Sequence, residues 1–260
     1  MRGFFIGEYM INVLIYGIGG KMGANVISAI NDTDGVQVVC GVDKFAPETV
    51  KVPVYPSCEQ VEEKVDVLID FSRAETIDDI LAFAKKTHCA LVIATTGHSA
   101  DQLKAIDKVS NLVPVFRASN FSLGINLLID LAKKAANVLG LAYDVEIVEA
   151  HHNMKVDAPS GTAMTIAEEV AAQYDGGKEF VFGRHETNKR REVHEMGIHA
   201  IRGGTIVGKH DVMLIGKDEV ITISHEAQSR MVFAVGAVRA AKYVAGKPAG
   251  KYNMSMMLSE

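Results

Sequence analysis

One stretch restricts the possible folds more than any other. A short β-branched apolar run at residues 10–16 leads directly into Gly17-Ile-Gly-Gly-Lys-Met-Gly23, and residues 21–30 then carry apolar side chains at helical spacing. Strand, glycine turn and helix in that order is the context that gives a glycine motif its meaning. The next strand, residues 36–42, ends in Asp43. That is about twenty residues beyond the last glycine, where a dinucleotide-binding unit places the acid that meets the ribose. Gly17, Ile18, Gly19, Gly20, Lys21, Met22 and Asp43 are therefore candidate cofactor contacts. Lys44 follows immediately. An acid at the strand end favours the free 2′-hydroxyl of NAD, and a neighbouring cation can take the 2′-phosphate of NADP. With both present, NADH and NADPH both remain open.

Strands and helices keep alternating. Strands are expected at 65–69, 90–94 and 113–116, and helices at 76–86 and 101–109. This pattern predicts a Rossmann-like α/β fold with a doubly wound parallel sheet. Ligands of such sheets sit at the C-terminal strand ends. Three turns there become candidates: Phe71-Ser72, Thr95-Thr96-Gly97 and Ser119-Asn120-Phe121. A long helix over 123–139 leads into a second pattern. Strand-like segments at 197–201, 205–207, 211–215 and 220–224 follow one another without long helices. They predict an α+β domain with a mixed or antiparallel sheet. A helix over 229–245 and the following tail return to the first domain. The expected division is 1–122 with 231–260 for the dinucleotide, and 123–230 for substrate and oligomer contacts.

The second domain opens with the densest chemistry in the chain. A strand-like run at 143–148 precedes Glu149-Ala-His-His-Asn-Met-Lys-Val-Asp-Ala-Pro-Ser-Gly-Thr162, and a helix is expected over 163–174. Ser160, Gly161 and Thr162 lead into that helix, whose free N–H groups can bind an anion. Gly161 allows close approach, and Thr162 can cap the helix or touch a ligand. Lys155 and a histidine beside such a nest suit a carboxylated substrate and can deliver a proton to it. Arg230 can clamp a carboxylate or serve as a surface charge. His185, His194 and His199 match no zinc spacing, and no metal is expected.

This stretch resembles the signature of the dihydrodipicolinate reductase family, also called 4-hydroxy-tetrahydrodipicolinate reductase. The signature reads Glu-(Ala/Leu)-His-His-x-x-Lys-x-Asp-Ala-Pro-Ser-Gly-Thr-Ala, and every fixed position is met through Ala163. The likeness runs from Met10 to about Leu258. The resemblance implies reduction of 4-hydroxy-tetrahydrodipicolinate to tetrahydrodipicolinate with NADPH or NADH, on the path to diaminopimelate and lysine. It implies His151 as proton donor or acceptor and Lys155 as proton donor, with His152, Gly161 and Thr162 holding the substrate carboxylates. Phe71, Ala94, Thr95, Thr96, Ala118, Ser119, Asn120 and Phe121 would lie around the nicotinamide and its ribose. The family usually has glycine where this chain has Ala94. A homotetramer is also implied. Two other readings share the glycine turn: another two-domain dehydrogenase of amino acids or semialdehydes, and a non-catalytic NAD(P)-sensing regulator. The first does not require His-His-x-x-Lys before Pro-Ser-Gly-Thr, and the second should carry a DNA- or protein-binding module.

Composition sets the remaining bounds. A formal charge of −5 gives no reason to expect nucleic acid or anionic membrane as a partner. Three cysteines without metal spacing suit a reducing cytoplasm. No apolar run approaches a membrane span. Residues 1–9 fit no element of the fold and are expected to be dispensable, with the native protein starting at Met10.

Overall fold

The apolar run after Met10 becomes β1 (Ile11–Tyr16), the centre of a parallel sheet. The computed structural model describes residues 10–185 and 188–260, so the expectation for residues 1–9 lies outside the described residues. In chain order the first unit contains β1, α1 (Lys21–Asn31), β2 (Val36–Val42), β3 (Val54–Tyr55), β4 (Val67–Asp70), α2 (Ile77–Thr87), β5 (Ala90–Ile93), α3 (Ala100–Val109) and β6 (Pro114–Arg117). The second contains α4 (Leu123–Leu139), β7 (Asp144–His151), α5 (Gly161–Ala171), β8 (Glu179–Phe182), β9 (Glu195–Arg202), β10 (Gly208–Ile215) and β11 (Val220–Ala227). The chain then adds α6 (Met231–Val244), β12 (Gly250–Tyr252) and α7 (Met254–Ser259) to the first unit. The compact units divide after Ser122 and after Arg230.

The first sheet has the order β12-β6-β5-β4-β1-β2-β3, and every neighbouring pair is parallel. Helices cover both faces, so its inner strands are apolar throughout. Leu14, Ile15, Leu68, Ile69, Leu91, Val92 and Phe116 are all fully buried. The strand order reverses at β1, which has β2 on one side and β4 on the other. That reversal places a crevice at the C-terminal ends of β1 and β4.

The second sheet, β11-β10-β7-β9-β8, is mixed: β7 is parallel to β9 and antiparallel to β10. One face packs on α4 and α5 through Ile125, Leu128, Val145, Ile147, Ile166 and Val212. The other carries an ion-pair network in which Arg191 holds Asp144 at 2.6 Å and Glu146 at 3.0 Å. No described helix is long and apolar enough to cross a membrane.

Several sequence expectations are corrected here. Residues 205–207 form no strand. The neighbouring loop sends its backbone bonds elsewhere: Gly203 N donates to His151 O, Asn153 N donates to Gly204 O, and Gly204 has φ +49. The strand expected to end at 148 continues to His151, because β9 and β10 pair with it on both sides. The helix expected from Ala163 starts at Gly161 and ends at Ala171. The short edge strands β3, β8 and β12 and the helix α7 had no periodic signal long enough to read.

Candidate active site

In the first unit the glycine turn closes against its neighbours so tightly that side chains would not fit. Gly17 has φ +86, and a Cβ there would lie 2.5 Å from Phe71 O. A Cβ on Gly19 would lie 1.9 Å from Phe45 O. Asp43 secures the turn from below: its Oδ2 accepts from Gly19 N at 3.0 Å and its Oδ1 from Phe45 N at 3.3 Å. Gly20 is the N-cap of α1, no side chain caps that end, and the first turn holds no acid. An uncapped helix start facing a glycine turn is what a pyrophosphate requires, so the residues fit a dinucleotide. Lys21 and Lys44 are exposed, while Ile18 is buried and packs against Gly41.

Beside the turn, Met22, Phe71, Ser72, Ala94, Thr95 and Thr96 line part of a cavity of about 530 Å³. Ser72 N donates to Asp70 Oδ1 and to Thr95 Oγ1, both at 3.0 Å. Ser72 Oγ also donates to Asp70 and lies 2.7 Å from Thr76 Oγ1. Burial pushes the Asp70 carboxyl up from its ordinary pKa, against these hydrogen bonds. After β6, Asn120 Oδ1 accepts from Ser122 N at 2.8 Å, and Ser119 is exposed. Phe121 turns into the core against Phe71 and Phe116.

In the second unit β7 delivers Glu149 and His151 to one face, since residues two apart on a strand point the same way. Glu149 is fully buried, and four donors converge on it. His151 Nδ1 lies 2.6 Å from Oε2, Ser160 N donates to Oε1 at 2.9 Å, and Arg202 donates to both oxygens at 2.8 Å. Burial works to raise the Glu149 pKa, but the bonds from Arg202, His151 and Ser160 outweigh it and hold the carboxyl below its ordinary value. With Nδ1 turned to the carboxylate, His151 has Nε2 for exchange. A Cβ on Gly208 would lie 3.1 Å from that nitrogen, a tight contact that the glycine avoids.

Ser160 is the N-cap of α5: its Oγ accepts from Ala163 N at 3.1 Å. Thr162 therefore sits inside the first turn and does not cap it, which leaves ligand contact as the alternative expected of it. Gly161 is exposed, Thr162 half-buried, and no acid occupies the first turn. This end fits a carboxylate. Lys155 is half-buried and pairs with Asp157 at 2.8 Å, and its backbone N donates to His152 O at 3.1 Å. His210 lies edge-on to His151 at 5.2 Å, and its Nε2 is 3.3 Å from Ser160 Oγ. Burial pushes the His210 pKa down to about 4.

Glu149, Arg202 and His210 were not among the expected site residues. The alternation of β7 would have paired Glu149 with His151, had the strand been extended. Among the histidines considered for a metal, His199 pairs with Glu146 at 2.8 Å and His194 with Glu179 at 3.3 Å. Arg230 is exposed.

Comparison with known proteins gives the same reading from both halves of the chain. A family model described as "Dihydrodipicolinate reductase, N-terminus" matches residues 11–121, and one described as "Dihydrodipicolinate reductase, C-terminus" matches residues 124–258. The chain is 47% identical over 251 residues to the 4-hydroxy-tetrahydrodipicolinate reductase of Caldanaerobacter subterraneus subsp. tengcongensis, covering 96% of this chain and 99% of that one. The protein of that name from Psychrobacter arcticus is 40% identical, at 96% and 95% coverage. A dipicolinate-bound dihydrodipicolinate reductase from Paenisporosarcina sp. TG-14 superposes with a TM-score of 0.79 at 25% identity, covering 94% of this chain and 97% of that one. A myo-inositol dehydrogenase from Corynebacterium glutamicum shares the fold alone, at a TM-score of 0.59 and 14% identity. With both halves matched and relatives similar over nearly their whole length, the chain belongs to the dihydrodipicolinate reductase family.

Proposed function

We propose that this protein reduces 4-hydroxy-tetrahydrodipicolinate to tetrahydrodipicolinate with NADH or NADPH, in the biosynthesis of diaminopimelate and lysine. The observation that carries the reading is the Glu149–His151 pair beside the acid-free start of α5, within the segment that matches the family. The dehydrogenase and regulator alternatives have no comparable support.

Bound at the glycine turn, the cofactor supplies a hydride. Gly17, Ile18, Gly19, Gly20, Lys21 and Met22 would hold its pyrophosphate, Asp43 would take ribose hydroxyls, and Lys44 would meet a 2′-phosphate. Phe71, Ala94, Thr95, Thr96, Ala118, Ser119, Asn120 and Phe121 frame the nicotinamide end through side chains and backbone. In the second unit Gly161, Thr162 and the cap Ser160 orient a substrate carboxylate at the start of α5, and His152 assists. Lys155 attracts the dicarboxylate and donates a proton to it. His151 exchanges a proton at Nε2 as the substrate loses water and its enamine carbon is protonated. The dipicolinate in the Paenisporosarcina protein is a planar dicarboxylate of the same outline, which supports a small dicarboxylate as substrate.

A homotetramer assembled through residues 123–230 belongs to this proposal. It is supported by apolar side chains that α4 leaves exposed: Leu127 at 55%, Leu131 at 46% and Val138 at 75%. Equilibrium sedimentation tests it, and a monomer would refute it. A cytoplasmic location is supported by the free thiols of Cys40, Cys58 and Cys89. The decisive experiment is a coupled assay in which freshly generated 4-hydroxy-tetrahydrodipicolinate is offered with NADH and, separately, NADPH. Oxidation of neither cofactor would reject the function.

A further inference from the structure

Glu149 poses a problem that the proposed chemistry does not answer. A fully buried carboxylate 2.6 Å from an imidazole nitrogen should hold the imidazolium firmly, because the attraction is large away from water. Yet the same carboxylate already has a cation of its own. Arg202 reaches it from β9 through the register that sets Arg202 opposite His151, and grips both oxygens in a fork. Two further bonds from Arg202, Nη1 to Ile201 O at 2.7 Å and Nη2 to Asp157 O at 2.6 Å, fix the guanidinium in place.

We infer that Arg202 is a positioning residue for the reaction: by cancelling the charge of Glu149, it lets that carboxylate choose which nitrogen of His151 carries the resting proton without trapping the second one. The inference rests on the reading of His151 as a proton-exchanging group. The geometry divides the work. Glu149 Oε2 accepts Nδ1–H, which fixes the tautomer and leaves a lone pair on Nε2. A partner carboxylate orients an imidazole in this way elsewhere in enzymology, but there it also stabilises the imidazolium. Here the Glu149–Arg202 pair is neutral as a unit. The other groups near His151 do not restore the bias. His210 approaches from β10, with its pKa pushed down by burial, and His225 stands opposite His210 on β11, with its pKa also lowered by burial. Ser160, whose N–H donates to the same carboxylate, is neutral.

The test uses the intact enzyme with isotope-labelled histidine, following the ring of His151 by nuclear magnetic resonance. Its signal is assigned by its loss in His151→Ala. In the wild type the neutral ring is expected to carry its proton on Nδ1. In Arg202→Gln the acid-side midpoint of the kcat profile should move to higher pH by at least one unit, kcat at neutral pH should fall at least tenfold, and KM should change little. Arg202→Lys, which keeps the charge, should return the midpoint most of the way. A neutral wild-type ring protonated on Nε2, or an unmoved midpoint in folded Arg202→Gln, would overturn the inference. Should Arg202→Gln not fold, Arg202→Met, of similar length and without charge, is read on the same kcat profile, and an unmoved midpoint there overturns the inference. Near-normal turnover in His151→Ala would instead remove the catalytic reading, and the wild-type ring tautomer would be unaffected by that result.

Discussion

Ser160 and His210, fifty residues apart, meet inside the second unit, with Ser160 Oγ 3.3 Å from His210 Nε2. The serine caps α5, and the burial of the histidine beside it has a cost in acid. Burial holds the folded pKa of His210 at about 4, below the ordinary 6.5. The unfolded chain therefore takes up the proton first as pH falls. The stability involved is fully present above pH 6.5 and is lost as pH drops toward 4, to a total of about 3 kcal/mol. His210→Asn should show a smaller fall in Tm between pH 7 and pH 4.5 than the wild type. Parallel Tm curves would show that His210 does not drive the acid sensitivity.

Lys155 and Thr162 should separate kinetically. Lys155→Ala is expected to lower kcat by about 10²–10⁴-fold, the usual loss for a proton donor. Thr162→Ala should raise KM and leave kcat nearly intact, because a hydroxyl at the start of α5 binds substrate and transition state alike. Steady-state kinetics at saturating cofactor distinguish the two. Normal turnover in Lys155→Ala would move the proton chemistry elsewhere.

Lys44 follows Asp43 at the end of β2 and is exposed. Lys44→Ala should weaken NADPH by roughly 1–2 kcal/mol, the scale of a hydrogen bond to a charged group, and NADH by less. Fluorescence titration with each cofactor measures this directly. Equal losses would mean that Lys44 does not read the 2′-phosphate.

Gly17→Ala tests the glycine turn. Its φ of +86 and the 2.5 Å approach of the new Cβ to Phe71 O oppose any side chain. The expected result is a loss of about 1–3 kcal/mol in stability, with weaker binding of both cofactors. An unchanged Tm would contradict the tightness of this turn.

Burial pushes the thiols of Cys40 and Cys89 up to about 12 and about 11, and Cys58 higher still. Only the thiolate reacts readily. Ellman's reagent should label none of the three cysteines in the folded protein and all of them in guanidinium. Fast labelling of the native chain would show that the first unit opens readily.

What the sequence disclosed depended on how local each constraint was. The glycine turn was legible because Gly19 answers Phe45 within one supersecondary unit and Asp43 falls at a fixed distance from it, whereas the contact that constrains Gly17, Phe71 beyond β4, was not. Ser160, Gly161 and Thr162 announced a helix start for the same reason, although the capping duty fell to Ser160. Arg202 and His210 were hidden because they reach Glu149 and Ser160 only through pairing across the sheet. Arg202 is carried in on β9, opposite His151, and His210 on β10, opposite Glu149. Nothing in a linear pattern specifies those registers. The two-residue strand β3 and the three-residue strand β12 complete sheet edges, where pairing rather than periodicity makes the strand.

The return of the chain to its first unit has a consequence for how such a protein is made. Helix α6 packs on α1 and on β4, β5 and β6, and β12 supplies the edge beyond β6, yet the 108 residues of the second unit, Leu123–Arg230, intervene before either. A ribosome moving from N- to C-terminus therefore releases six strands of the first sheet with one helical flank bare and one edge open. At about 5–20 residues per second, that state persists for roughly 5–20 s while the second unit emerges. The half-built sheet is then the species with the most exposed apolar surface. Nascent-chain protection during that interval, rather than the stability of the finished enzyme, would govern its yield.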